Sequence, residues 1–132
     1  MTSSLTESNN TPVAFKPSTF KLHVFTAEIV DRKIIFQVIK MLESVFISIN
    51  YSNGLYFNDL SLAMLNRYDK VPMTTQLLGD FSESSSKNMA MRVSKKLGKN
   101  VYVSCNIDND RMSLPFVEKR LYEEIKNDPK KF

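Results

Sequence analysis

The chain has no tryptophan, one cysteine (Cys105), one histidine (His23) and three glycines. A lone cysteine cannot close an internal disulfide, so a reducing cytosolic or nuclear setting is expected. Neither zinc-ligand spacing nor a local Cys–His signature surrounds Cys105 or His23, so no metal and no cofactor are expected. So few glycines argue against a phosphate-cradling loop and, with tryptophan absent, against repeat architectures. No apolar run approaches the roughly 20 residues that cross a bilayer, and Met1–Asn10 lacks the apolar centre of a secretory signal, so no membrane association is expected. Positive charge is in modest excess, at +4, which permits an acidic partner without demanding one. A nucleic-acid binder would carry a denser basic stripe with exposed aromatics, so no nucleic acid is expected.

What is present is an ordinary globular composition, 42% hydrophobic and 24% charged over 132 residues, enough for one domain with a real core. Residues 1–17, rich in Ser, Thr and Asn with two prolines, read as a flexible N-terminal tail that buries too little apolar surface to offset its ordering entropy. The domain then covers 18–132. Phe20, Leu22 and Val24 alternate with Lys21 and His23, the period of a half-buried strand with His23 on its polar side. Asp31-Arg32-Lys33 reads as a turn, and Ile34–Leu42 as a second strand apolar on both faces. A third strand has Val45, Ile47, Ile49 and Tyr51 on one face and Phe46, Ser48 and Asn50 on the other. Asn53-Gly54 is a hairpin signal, because both residues tolerate positive φ. Leu60, Leu62 and Met64 alternate through a fourth strand, and a fifth begins just after Pro72, which cannot pair centrally.

The first helix takes its cap from Glu83-Ser84-Ser85-Ser86, buries Met89, Val93 and Leu97, and ends at Gly98. A sixth strand alternates Val101, Val103, Cys105 and Ile107 with Tyr102, Ser104 and Asn106. The second helix enters at Ser113 and Pro115, buries Leu114, Val117, Leu121 and Ile125, and stops at Pro129. Five strands, a helix, a strand and a helix, joined by short connections, predict an α+β fold. It has a single mostly antiparallel sheet of about six strands with two helices on one face. The other face would carry Phe46, Ser48 and Asn50 beside Tyr102, Ser104 and Asn106, aromatic and small-polar without charge. That is the composition of an interface centre, so this face is expected to pack against a partner's sheet, unless the chain's own loops or tail cover it.

Several groups could carry chemistry or contacts. Arg67-Tyr68-Asp69-Lys70-Val71-Pro72 fits a loop between strands four and five. Either an Arg67–Asp69 pair or an Asp69 cap shapes it, or it touches a partner through its Tyr and Arg. Gly79 would supply a backbone conformation closed to other residues, and Asp80 would cap the turn after it. Lys87, Arg92, Lys95, Lys96 and Lys99 make the first helix basic, either as a solvated face or as a guide toward an acidic client. Ser82–Ser86 could take phosphate but reads more simply as loop and cap. Glu123 and Glu124 are adjacent on a helix and diverge, while Asp108 and Asp110 share a turn. Nothing marks a cleft around either pair, so catalysis is not expected.

The order Arg67-Tyr68-Asp69, one residue, hydrophobic-Pro72, Thr74-Thr75 and Leu77-Leu78-Gly79-Asp80 resembles the proteasome assembly chaperone 4 family. Leu60–Met64, Val101–Asn106 and the ending Val117-Glu118-Lys119-Arg120, Glu123-Glu124, Pro129–Phe132 extend the resemblance, which spans His23 to Phe132. It implies a non-catalytic chaperone that pairs with a chaperone-3-like protein and binds 20S alpha-ring subunits, the alpha-5 type among them. The expected contacts are Arg67, Tyr68, Asp69, Pro72 and Asp80, with Phe46 and Tyr102 on the sheet and Lys95 on the first helix. Two other classes remain: a roadblock- or profilin-like dimeric adaptor, which would bind other clients, and an RNA-binding domain, which would bind with steep salt dependence.

Overall fold

The computed structural model describes residues 13–29, 31–80, 85–107 and 112–132. Six strands form one sheet: β1 Lys21–Ile29, β2 Arg32–Lys40, β3 Ser44–Tyr51, β4 Leu60–Met64, β5 Met73–Leu78 and β6 Asn100–Cys105. Two helices, α1 Ser85–Leu97 and α2 Ser113–Asn127, are followed by a 3-10 turn at Pro129–Lys131. The spatial order is β1-β2-β3-β6-β4-β5. Every neighbouring pair is antiparallel except β3 with β6, which run parallel with Val45 opposite Val101 and Ile49 opposite Cys105.

That parallel pair overturns one expectation. β3 and β4 are not a hairpin, because β6 lies between them. Asn53-Gly54 still turns the chain, with Gly54 N–H donating to Tyr51 O at 3.3 Å, but Gly54 does not take positive φ. The tight turn lies instead between β1 and β2, where Ile29 opposes Arg32 and Asp31 adopts φ 54°. Arg32 and Lys33, expected in the turn, belong to β2, and the strand ends two residues before the expected Leu42.

Both helices lie on one face, as expected. Ile34, Phe36 and Val38 from β2, Val45, Ile47 and Ile49 from β3, and Val101, Val103 and Cys105 from β6 are buried beneath them. From above come Met89 and Val93 of α1 and Val117, Leu121 and Ile125 of α2, as the 3.6-residue period predicts; Ala90 joins them, while the expected Leu97 and Leu114 are only partly buried at the core's margin. Gly98 closes α1 at φ 66°, with its N–H on Ser94 O at 2.8 Å. The helix-capping residues expected at Glu83 and Ser84 lie outside the described residues, as do Ser82 and the carboxylates Asp108 and Asp110.

β1 faces the opposite way from the expectation. His23, Phe25 and Ala27 point to the helices, and Leu22 and Val24 point away, with Leu22 68% exposed. The reason is the far end of the chain. Pro129–Lys131 folds it back so that Phe132, fully buried, meets Phe25 and His23 edge-on at ring separations of 6.3 Å. Phe25 in turn stacks on Phe36 at 4.5 Å. His23 Nε2 is 2.7 Å from Glu124 Oε2, and Arg120 holds the other oxygen of Glu124 at 2.9 Å. Desolvation pushes the Glu124 carboxyl up, but hydrogen bonds from His23 and Arg120 outweigh it and hold the group below the usual range.

Candidate protein-interaction surface

The sheet face turned away from the helices is assembled by register. One row across it reads Leu22, Ile39, Phe46, Tyr102, Leu62 and Thr75, each opposite the next. The adjacent row runs Val24, Gln37, Ser48 and Ser104. Neither row contains a charged residue. Along the strands, charge returns where Glu28 opposes Lys33. The parallel alignment of β3 and β6 makes this possible, since it sets Phe46 beside Tyr102 and Ser48 beside Ser104.

The face is not wholly open, because the alternative cover, a loop of the chain's own, takes part of it. Because β6 separates β3 from β4, the connecting loop must cross the end of β6. Two asparagines at the ends of β3 and β6 hold it there. Asn50 Oδ1 accepts from Tyr56 N–H at 2.8 Å, and Asn106 Oδ1 accepts from Asn58 and Asp59 N–H at 2.9 and 3.3 Å. Their amide nitrogens donate back to the face, Asn50 to Ser48 Oγ at 3.0 Å and Asn106 to Ser104 Oγ at 2.9 Å. Phe57 settles against Phe46, ring centroids 6.1 Å apart. Ser48, Asn50 and Ser104 are consequently buried, and Phe46 and Tyr102 are half-buried.

Beyond the loop's end, Asp59 meets the start of α1. Burial pushes its carboxyl up, against hydrogen bonds from the Ser86 side chain and the Ser86 and Leu60 amides, which pull it down. Among the described residues its Oδ1 has no hydrogen-bond partner, and Gly79 backs directly onto it. Gly79 sits at φ 106°, and a Cβ there would stand 2.9 Å from that oxygen. The sequence expectation for Gly79 therefore holds, with its reason supplied by Asp59. The Asp80 backbone carbonyl accepts from Gln76 Nε2 at 3.0 Å.

What stays exposed lies on the loop itself, at Leu55, Tyr56 and Phe57, and on either side of it. On the β1 side are Phe20, Leu22 and Val24, and on the β4–β5 side are Met64, Met73 and Leu77. The β4–β5 loop adds Leu65, Tyr68 and Val71. That loop is shaped by two local bonds, Tyr68 N–H to Asn66 Oδ1 at 3.0 Å and Val71 N–H to Asp69 Oδ1 at 3.2 Å. Asp69 thus caps the turn, and no Arg67–Asp69 ion pair is present among the described residues. Pro72 is buried at the base, while Tyr68 stands 95% exposed. Phe46 and Tyr102 lie on the sheet face, Arg67–Pro72 and Asp80 flank its β5 edge, and Lys95 lies apart from both, exposed on α1.

Sequence reasoning missed Leu22 and Val24 as surface residues and missed both asparagine anchors. The anchors had a visible signal, Asn50 and Asn106 closing two strands at matched positions. Its meaning depends on the parallel pairing, which places Asn106 N–H on Ile49 O at 2.9 Å. Cys105, as expected, is a core residue, and burial pushes its thiol up to about 11. Among the described residues, no helix is long and apolar enough to cross a membrane.

A helix-backed sheet of this kind is also the fold of a chain in the crystal structure of a chaperone complex for yeast 20S proteasome assembly. The two superpose with a TM-score of 0.64 over 83% of this chain and 98% of that one, at 12% identity, a likeness of fold. Sequence gives the narrower answer. Residues 33–107 match the family model for proteasome assembly chaperone 4. The human protein named proteasome assembly chaperone 4 is 37% identical over 112 residues, 84% of this chain and 89% of that protein, and its mouse counterpart is 36% identical over the same span. The chain belongs to the proteasome assembly chaperone 4 family.

Proposed function

We propose that this chain is a non-catalytic chaperone of 20S proteasome assembly, acting as a heterodimer with a chaperone-3-like protein to promote alpha-ring formation. The observation that carries the pairing is the uncharged sheet face. Leu22 and Val24 on one side of the β3–β4 loop and Met64, Met73 and Leu77 on the other remain in water in the isolated chain. A partner's sheet laid across them removes that surface from water, and because each side chain is already partly covered it contributes about half of the roughly 1.5–3 kcal/mol that burying a fully exposed one would. The Asn50 and Asn106 anchors hold the loop in place, so pairing need not order it.

Client contact falls to the β4–β5 loop. Its two side-chain caps fix the backbone, and Tyr68 projects from it next to Arg67, two residue types that anchor interfaces. The proposed clients are alpha subunits, including the alpha-5 type. The chaperone acts by binding an assembling arrangement better than separate subunits, and it leaves when mature contacts compete for the same surface.

Co-expression with a chaperone-3-like partner tests the pairing. A one-to-one complex on size exclusion that dissolves on Leu22→Glu, while the isolated variant keeps its circular dichroism, is the expected result. A complex indifferent to Leu22→Glu and Met73→Glu alike places the partner elsewhere. Pull-down of separately purified alpha subunits, with and without Tyr68→Ala, tests the client surface independently.

A further inference from the structure

The two helices leave a groove of about 790 Å³ between them, on the side of the molecule away from the sheet's reverse face. Its floor includes Leu114, Tyr122 and Ile125. Across it, Arg92 of α1 grips Glu118 of α2 through two hydrogen bonds, Nε to Oε2 and Nη2 to Oε1 at 2.7 Å. Tyr122 donates its hydroxyl to the same carboxylate. The Glu118 charge is therefore already satisfied. Burial raises its carboxyl, but the bonds from Arg92 and Tyr122 overcome that and hold it below the usual range.

With that pair closed, Lys96, Lys119 and Lys126 around the groove stand against Glu123 alone. Lys96 lies over the Tyr122 ring, 5.1 Å from its centroid. Lys119 and Lys126 are exposed and have no ion-pair partner among the described residues. The groove is thus an apolar trough with a positive margin, and that combination selects a ligand class. A simple anion would find no reason to prefer it over other surface lysines. A nucleic acid would need a longer basic track with exposed rings for its bases. A peptide with acidic residues on one side and aliphatic or aromatic ones on the other satisfies both parts at once.

We infer that the α1–α2 groove is a second docking site, for an acidic amphipathic segment of another protein, opposed to the sheet face and independent of the pairing proposed for it. Charge complementarity orients the segment and the trough supplies its apolar contacts.

The test is fluorescence anisotropy on the full chain with a labelled peptide in which Glu and Asp alternate at helical spacing with Leu and Phe. Binding should weaken with salt. It should fall by about tenfold or more in the Lys119→Glu, Lys126→Glu double variant, whose exposed positions leave the fold intact by circular dichroism. Replacing the peptide's Leu and Phe by Ser should abolish binding, and exchanging its acids for Lys should restore binding to the double variant. Binding unchanged by the charge reversal overturns the inference, as does equal competition by single-stranded RNA. A Leu22→Glu chain that loses chaperone pairing but still binds the peptide separates this site from the sheet face, and loss of both together counts against two sites.

Discussion

The two faces of one sheet solve opposite problems with alternate residues of the same strands. On the helix side, Phe36, Ile47, Val103 and their neighbours are fully buried, and no water reaches them. On the reverse side, Phe46, Tyr102 and Leu62 form the alternate row, yet the covering is one loop pinned by two asparagines, with Leu22, Val24 and Met73 still exposed. The first face stabilises the chain by itself. The second is left part-covered, with an apolar surface of the kind that marks a protein interaction site.

Truncating the two faces should give unequal costs, and the largest falls on the helix side. Phe36→Ala removes a ring stacked on Phe25 in a fully buried position and should cost about 3–5 kcal/mol in denaturant unfolding. A cost near that of a surface change would erase the distinction between the faces. Next comes the junction where the loop meets α1. Gly79→Ala forces a side chain into φ 106° with its Cβ 2.9 Å from Asp59 Oδ1, and should destabilise by about 1–3 kcal/mol. Asn106→Ala leaves the Asn58 and Asp59 amides without their acceptor and should cost about 1–2 kcal/mol. Its sharper readout is faster hydrogen exchange at residues 56–59 with the core unchanged.

The α2 latch on β1 sets a pH dependence. Glu124 is held below its usual range in the folded chain, so its contribution is present above the unfolded carboxylate value near 4.5. That contribution is lost as pH falls through the lower folded value. Glu124→Gln should flatten the dependence of stability on pH in that acid region, and an unchanged profile would remove the latch from the account. The smallest expected effect is Leu22→Ala in the isolated chain, within about 0.5 kcal/mol, because Leu22 is already in water. The same change should weaken pairing, and that divergence between stability and binding is what sets the two faces apart.

Element order and type were legible because periodicity reports them locally. β2, β3 and both helices bury the stripes their spacing predicts, and Pro72 marks the start of β5 as its missing N–H requires. The orientation of β1 was not legible. Phe20, Leu22 and Val24 alternate as well as His23, Phe25 and Ala27 do, and a period of two cannot say which set goes inward. Phe132, more than a hundred residues away, decides it by packing against Phe25 and His23. The hairpin signal at Asn53-Gly54 failed for a related reason, since a turn residue bends the chain but does not choose which strand lies alongside. Of the expected surface residues, Phe46 and Tyr102 were placed on the reverse face by alternation, but which loop half-covers them depends on β6 lying between β3 and β4.

By itself the amino-acid order determined the elements, the apolar stripes that face the helices and, through the Arg67–Asp80 stretch, the family. These are properties of residues close together along the chain. The tertiary structure alone decided that β3 and β6 run parallel, that β1 shows its aliphatic side to water, and that a loop crosses the reverse face on two asparagine anchors. Each of those depends on contacts between residues distant in sequence, where the free energy of packing, and not local preference, selects among arrangements that the sequence pattern leaves equivalent.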